Sequence, residues 1–167
     1  MKLVIIRHGP AGNRGDWEAE GRDDRLRPLT PKGKKEVRRA AAGLAAMVRS
    51  LDLLATSPLT RAVETADIVA AEYGCEIELL DSLTPESPPD QLMPWIQMQP
   101  PAGTLGVVGH EPHLSTLAGY LLTGQPTSFI ELKKGGACLL ELADPPRPGG
   151  ATLHWLLTSD ALRRLNA

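Results

Sequence analysis

Near the N-terminus the run Leu3-Val-Ile-Ile6 stops abruptly on Arg7-His8-Gly9, and no other feature narrows the possible folds as much. Unbroken hydrophobicity rich in β-branched residues marks a strand covered on both faces, as in a parallel sheet. Open sheets of that kind bind ligands beyond the carboxyl ends of their strands. A strand placed at Lys2–Ile6 and ending on a guanidinium, an imidazole and a glycine is therefore expected to deliver chemistry at that end.

The rest of the chain continues the pattern. Residues 9–29 show no period and read as a long loop beside the site, alternatively one that folds over it. Thr30 is a good N-cap and Pro31 suits the first position of a helix reaching about Val48. A strand follows at Leu51–Thr56, then a helix from Ser57-Pro58 that Gly74 stops, then a strand at Ile77–Leu80. Thr84–Gly103 carries six prolines and reads as irregular, with a short helix anchored by Leu92, Met93, Trp95 and Ile96. Leu105–Val108 is the next strand and His113–Leu122 the next helix. Strands at Ala137–Leu142 and Ala151–Leu157 flank a hairpin loop at 144–150, and Ser159 caps a last helical turn. Alternation of this kind predicts an α/β fold, a three-layer α/β/α sandwich with a mainly parallel central sheet and an antiparallel edge. All 167 residues are expected in a single domain, long enough to bury a full core.

With 42% hydrophobic and 23% charged residues and a formal net charge of -2, the chain is neither a disordered segment nor a polybasic nucleic-acid binder. No apolar run approaches a membrane span, and the four apolar residues before Arg7 are too few for a signal-peptide core. The expectations are a cytoplasmic location and no nucleic-acid or membrane partner; nothing in the sequence sets the oligomeric state. Cys75 and Cys138 lack paired spacing and are expected to be buried free thiols.

The chemistry-bearing residues are Arg7, His8, Arg61 and His110. A neutral imidazole is a competent nucleophile, two guanidiniums match the oxygens of a phosphoryl group, and a second, protonated imidazole adds a donor where negative charge sits. That set is complete for phosphoryl transfer without a metal or other cofactor. Gly9 lets backbone approach an anion and turn out of the strand, and the helix start at Ser57–Arg61 favours an anion nearby. Against this, Arg7 could pair with a carboxylate, His8 could sit satisfied in the core, and Arg61 could lie on the surface bridged to Glu64 or Glu18. His113, at a helix start where exposure is ordinary, and His154, in a strand, read as structural. The histidines show no zinc-site spacing, so no metal is expected. The glycines of residues 9–15 lack the Gly-Lys-Ser/Thr ending of a nucleotide loop. Arg22, Arg25, Arg27, Lys32, Lys34, Lys35, Arg38 and Arg39 read as a solvated face, alternatively one that attracts an anionic partner.

Leu3-Val-Ile-Ile-Arg-His-Gly9, Leu29-Thr-Pro-Lys-Gly33, Ser57-Pro-Leu-Thr-Arg-Ala-Val-Glu-Thr-Ala66 and Val108-Gly-His-Glu-Pro112, in that order, resemble the histidine phosphatase superfamily (branch 1, phosphoglycerate mutase-like), and within it the SixA-type phosphohistidine phosphatases. The resemblance implies that His8 becomes phosphorylated, that Arg7, Arg61 and His110 hold the phosphate, and that water then hydrolyses the phosphohistidine. Larger members place an acid over the site to protonate an alkoxide. Here Leu83-Thr-Pro-Glu-Ser-Pro-Pro89 lacks their signature, leaving Glu86, Glu111 or no residue in that role. A phosphoramidate needs less help from an acid than an alkyl ester does, which points to a phosphorylated substrate of the phosphohistidine-bearing protein kind. The alternatives are a small-molecule or general phosphomonoesterase and a non-catalytic phosphate-binding adaptor. A mutase is disfavoured because no segment is evident that would enclose a bound sugar acid.

Overall fold

The computed structural model describes residues 1–166. Strands β1 (Lys2–Arg7), β2 (Leu53–Thr56), β3 (Ile77–Leu79), β4 (Thr104–Gly109), β5 (Ala137–Glu141) and β6 (Thr152–Leu157) form one sheet in the order β3-β2-β4-β1-β5-β6. β3, β2, β4 and β1 run parallel, while β5 and β6 run antiparallel at one edge. This is the α/β architecture with a mainly parallel sheet that the sequence predicts.

The helices are α1 (Arg14–Ala19), α2 (Pro31–Met47), α3 (Thr60–Tyr73), α4 (Met93–Gln97), α5 (His113–Thr123) and α6 (Ser159–Arg164). The unbroken apolar run of β1 has a direct cause, since successive side chains enter opposite layers. Leu3 and Ile5 join Leu105, Val107, Leu114, Leu117 and Trp95 on the face covered by α4 and α5. Val4 and Ile6 join Ala40, Leu44, Ala62, Val69 and Leu162 on the face covered by α2, α3 and α6.

Local chemistry sets the helix limits. Thr30 Oγ1 accepts from the Gly33 N–H at 2.9 Å with Pro31 just inside α2. Gly74 closes α3 at φ 67°, a left-handed value that favours glycine. Two helix starts differ from expectation, and β2 begins at Leu53, two residues later than expected. α3 starts at Thr60, because Ser57 Oγ caps the preceding turn by accepting from the Leu59 N–H at 3.3 Å. α6 is capped by Thr158, whose hydroxyl accepts from the Ala161 N–H, with Ser159 already helical.

The loop expected at residues 9–29 is built structure. Asn13 Oδ1 caps α1 by accepting from the Asp16 N–H at 3.0 Å, and a 3-10 turn covers Asp24–Leu26. Ala11 bridges Leu29 at its base, and Trp17 Nε1 donates to the Asp23 carbonyl at 2.8 Å while Arg22 stacks 4.0 Å over the Trp17 ring. Of the two free cysteines, Cys138 is buried as expected, but Cys75 is only half-buried because it follows the exposed end of α3.

Candidate active site

Register brings the two imidazoles together. β1 and β4 are parallel neighbours with Arg7 opposite Gly109, and the His8 N–H donates to the Gly109 carbonyl at 3.0 Å. His8 and His110 are thus equivalent residues just past two adjacent strand ends. Their ring centroids lie 5.1 Å apart, close to the spacing of neighbouring strands. β2 lies on the other side of β4, and its end carries Ser57, whose Oγ lies 2.8 Å from His110 Nε2. One helical turn on, Arg61 enters the same space from α3.

Backbone carbonyls hold Arg7 and His8. Arg7 Nη1 donates to the Leu132 carbonyl at 2.8 Å. His8 Nδ1 lies 2.7 Å from the Gly9 carbonyl. A carbonyl only accepts, so Nδ1 carries the proton and Nε2 is left as the basic nitrogen. The Gly9 N–H donates to Thr65 Oγ1 at 3.0 Å, and that hydroxyl donates to the Arg61 carbonyl at 2.8 Å, tying the backbone after His8 to α3. Gly9 itself is needed for packing: a Cβ there would strike the Val37 side chain of α2. This differs from the close approach to an anion expected from sequence.

Burial sets the electrostatics. His8 is depressed to about 3 and His110 to about 2, first by loss of solvent and then, for His8, by Arg61 and Arg7 and, for His110, by His8 and Arg61. Both rings are therefore neutral at pH 7 in this structure. The second imidazole, expected to be protonated, is instead neutral here, because burial first and then His8 and Arg61 lower its proton affinity. Arg7 Nε, Arg61 Nε and His110 Nδ1 are buried without a hydrogen-bond partner among the described residues. Such groups require an acceptor or donor to offset their desolvation, and a guanidinium is suited to the oxygens of an oxyanion such as a phosphoryl group.

The cleft that these residues share has a volume of about 530 Å³ and is lined also by Asn13, Arg14, Arg27, Pro85, Glu111 and Lys134. Arg61 pairs with neither Glu64 nor Glu18. Its Nη1 donates to the Asp24 carbonyl at 2.9 Å and its Nη2 lies 3.3 Å from Asp24 Oδ2. Asp24 Oδ1 also takes Arg27 Nε at 2.8 Å, and Arg27 Nη1 donates to the Gly12 carbonyl. Arg27 is therefore buried in the cleft wall, not part of the solvated face to which it was assigned. Asp24, Arg14, Arg27 and Lys134 were missed as site residues because they lie in stretches that read as surface charge; the near-adjacent Asp24 and Arg27 were the available signal.

Glu86 is exposed and outside the cleft lining, whereas Glu111 is half-buried within it. His113, expected to be exposed, is buried, and its two ring nitrogens have no partner among the described residues. α5 turns it into the layer beneath the site. His154 pairs with Glu141 across β5 and β6 at 2.8 Å, away from the cleft.

A sequence profile of the histidine phosphatase superfamily (branch 1) matches residues 3–84. An uncharacterised protein of Picosynechococcus sp. is 34% identical over 139 residues, 81% of this chain and 82% of that one. The chain belongs to the histidine phosphatase superfamily. It is accordingly a phosphatase, a hydrolase by reaction class. A 2,3-bisphosphoglycerate-dependent phosphoglycerate mutase of Azorhizobium caulinodans is 40% identical over 74 residues, 43% of this chain and 34% of that one. Among solved structures, the protein histidine phosphatase SixA bound to tungstate superposes with a TM-score of 0.83 at 23% identity, covering 97% of this chain and 99% of that one. Phosphoserine phosphatase of Entamoeba histolytica superposes at 0.68 and 19% identity, covering 96% of this chain and 98% of that one. These likenesses confirm the fold. Within the described residues, no helix is long and apolar enough to cross a membrane.

Proposed function

We propose that this chain is a SixA-type phosphohistidine phosphatase that works without a metal, as one domain over residues 1–167 and in the cytoplasm. His8 Nε2 attacks the phosphorus, and Arg7, Arg61 and His110 hold the phosphoryl oxygens. The bond from phosphorus to the substrate nitrogen breaks as the bond to His8 forms. Water then attacks phospho-His8, releasing phosphate and restoring the neutral ring.

One observation carries the reading: His8 is a buried neutral imidazole whose Nδ1 proton is held by the Gly9 carbonyl, so that Nε2 is the free nucleophile in a cleft shared with two guanidiniums. The charge that builds on the phosphoryl group in transfer is met by fixed cations that need no rearrangement. The SixA likeness and the exposure of Glu86 favour a nitrogen leaving group over an alkoxide, and hence a phosphohistidine-bearing protein over a small phosphomonoester.

Rapid quench with a 32P-labelled phosphohistidine protein tests it. The expected result is an acid-labile, alkali-stable label on the wild-type chain and none on His8→Ala, with turnover reduced at least about 1000-fold, of the order of losing a covalent nucleophile. Equal labelling of the variant removes His8 from the nucleophilic role, and binding of phosphate without any labelled enzyme favours an adaptor.

A further inference from the structure

We propose that Glu111 is the carboxylate that accepts the ring N–H of the substrate's imidazole, so that the leaving group departs as a neutral ring. The inference rests on the phosphohistidine reading above and adds the residue that selects that substrate.

Glu111 is the only carboxylate among the described residues lining the cleft; the other charged groups there are Arg7, Arg14, Arg27, Arg61 and Lys134. Its position is fixed from two sides. It directly follows His110 at the end of β4, and its Oε1 accepts the Ser115 N–H of α5 at 2.8 Å. Its Oε2 makes no hydrogen bond among the described residues, and it is close enough to Arg7 to interact through charge. A half-buried carboxylate anchored by one oxygen beside phosphate-binding guanidiniums repels a phosphoryl group. It fits a substrate that brings a donor or a positive charge next to its phosphorus.

A phosphorylated imidazole has that character. Phosphorus sits on one ring nitrogen and the other can carry a proton. With that proton in place, the electron pair of the breaking N–P bond returns to a ring that leaves as neutral imidazole. Without it the ring would leave as an anion. An acceptor on the distal nitrogen favours the protonated form, as an opposite charge favours any ionised group. The arrangement mirrors His8, whose own distal proton is held by the Gly9 carbonyl. In serine and sugar phosphates the oxygen bonded to phosphorus has no conjugated nitrogen to carry such a proton, so an ionised carboxylate gives their leaving alkoxide no corresponding help. The groups that interact with Glu111 through charge are Arg7 and the buried Cys138 thiol, with Glu131 also acting on Arg7; His8, His110, Arg14, Arg27, Arg61 and Lys134 share the cleft.

The test compares wild type, Glu111→Gln and Glu111→Asp on N-phosphoimidazole and on p-nitrophenyl phosphate, whose leaving group needs no proton. The expected result is that Glu111→Gln lowers the ratio of kcat/KM on the first substrate to that on the second at least about tenfold. It should also move the alkaline limb of kcat on N-phosphoimidazole down by about one pH unit, because that limb reports the bound complex. Glu111→Asp should recover part of both changes. Equal losses on both substrates with an unmoved limb would make Glu111 a cap of α5 and overturn the proposal. If wild type forms labelled phosphoenzyme from p-nitrophenyl phosphate and does not turn over N-phosphoimidazole, the substrate reading fails first and the inference falls with it.

Discussion

At the scale of single residues, the cleft depends on groups that do not line it. Thr65 is the clearest, since its one hydroxyl accepts from the Gly9 N–H and donates to the Arg61 carbonyl while fully buried. Valine fills nearly the same volume and offers neither bond. Thr65→Val leaves a buried N–H unpaired directly after His8, at a cost of about 1–3 kcal/mol, which for a chain of this size lowers Tm by about 3–10 °C. Thr65→Ser should recover most of it. A calorimetric Tm equal to wild type in Thr65→Val would show that the Gly9 N–H finds another acceptor. Legibility at this scale was uneven. Arg7, His8, Arg61 and His110 stand at strand and helix ends that local patterning marks, and all four meet in one cleft. Asp24 and Thr65 act through contacts 37 and 56 residues away in sequence, which no local pattern encodes.

At the scale of elements, β1, α2, β4 and α5 were readable because burial imposes a period or an unbroken apolar run. α1 was hidden because its six residues bury none of their side chains and include Gly15, so its one signal was the Asn13 cap. Strand order was unreadable for a different reason: β4 lies beside β1 after about 100 residues of intervening chain, and the pairing of His8 with His110 follows from that order alone. The joint between α2 and α6 shows how close the helices come. Gly43 is buried in α2, and a Cβ there would collide with the Leu162 carbonyl of α6. Alanine improves helix propensity by about 1 kcal/mol over glycine, but backbone cannot yield as a side-chain tip does, and such overpacking costs about 1–3 kcal/mol. Gly43→Ala is therefore expected to lower thermal stability or displace α6; a raised Tm with α6 still protected from hydrogen exchange would contradict that packing.

At the scale of the whole molecule, the fold gathers three histidines, His8, His110 and His113, into its interior in the neutral form, each with its proton affinity lowered chiefly by burial. In the unfolded chain they regain an ordinary pKa near 6.5. The sign follows from linkage: between about 6.5 and the folded values of about 3 for His8 and about 2 for His110, the unfolded state binds protons that the folded state refuses, so stability is full above that range and falls as pH drops through it. The limiting slope for each ring is about 1.4 kcal/mol per pH unit. Between pH 7 and pH 5 the loss is therefore about 2 kcal/mol for each of His8 and His110 if their protonation is confined to the unfolded chain. Chemical denaturation at a series of pH values measures it directly. His113→Leu removes one of the three rings without touching His8, Arg7 or Arg61, and should flatten the slope between pH 7 and 5, because burial lowers the proton affinity of that ring too. An unaltered slope in that variant would mean that His113 takes up its proton in the folded state, and a flat profile in wild type would mean the same for the pair at the site.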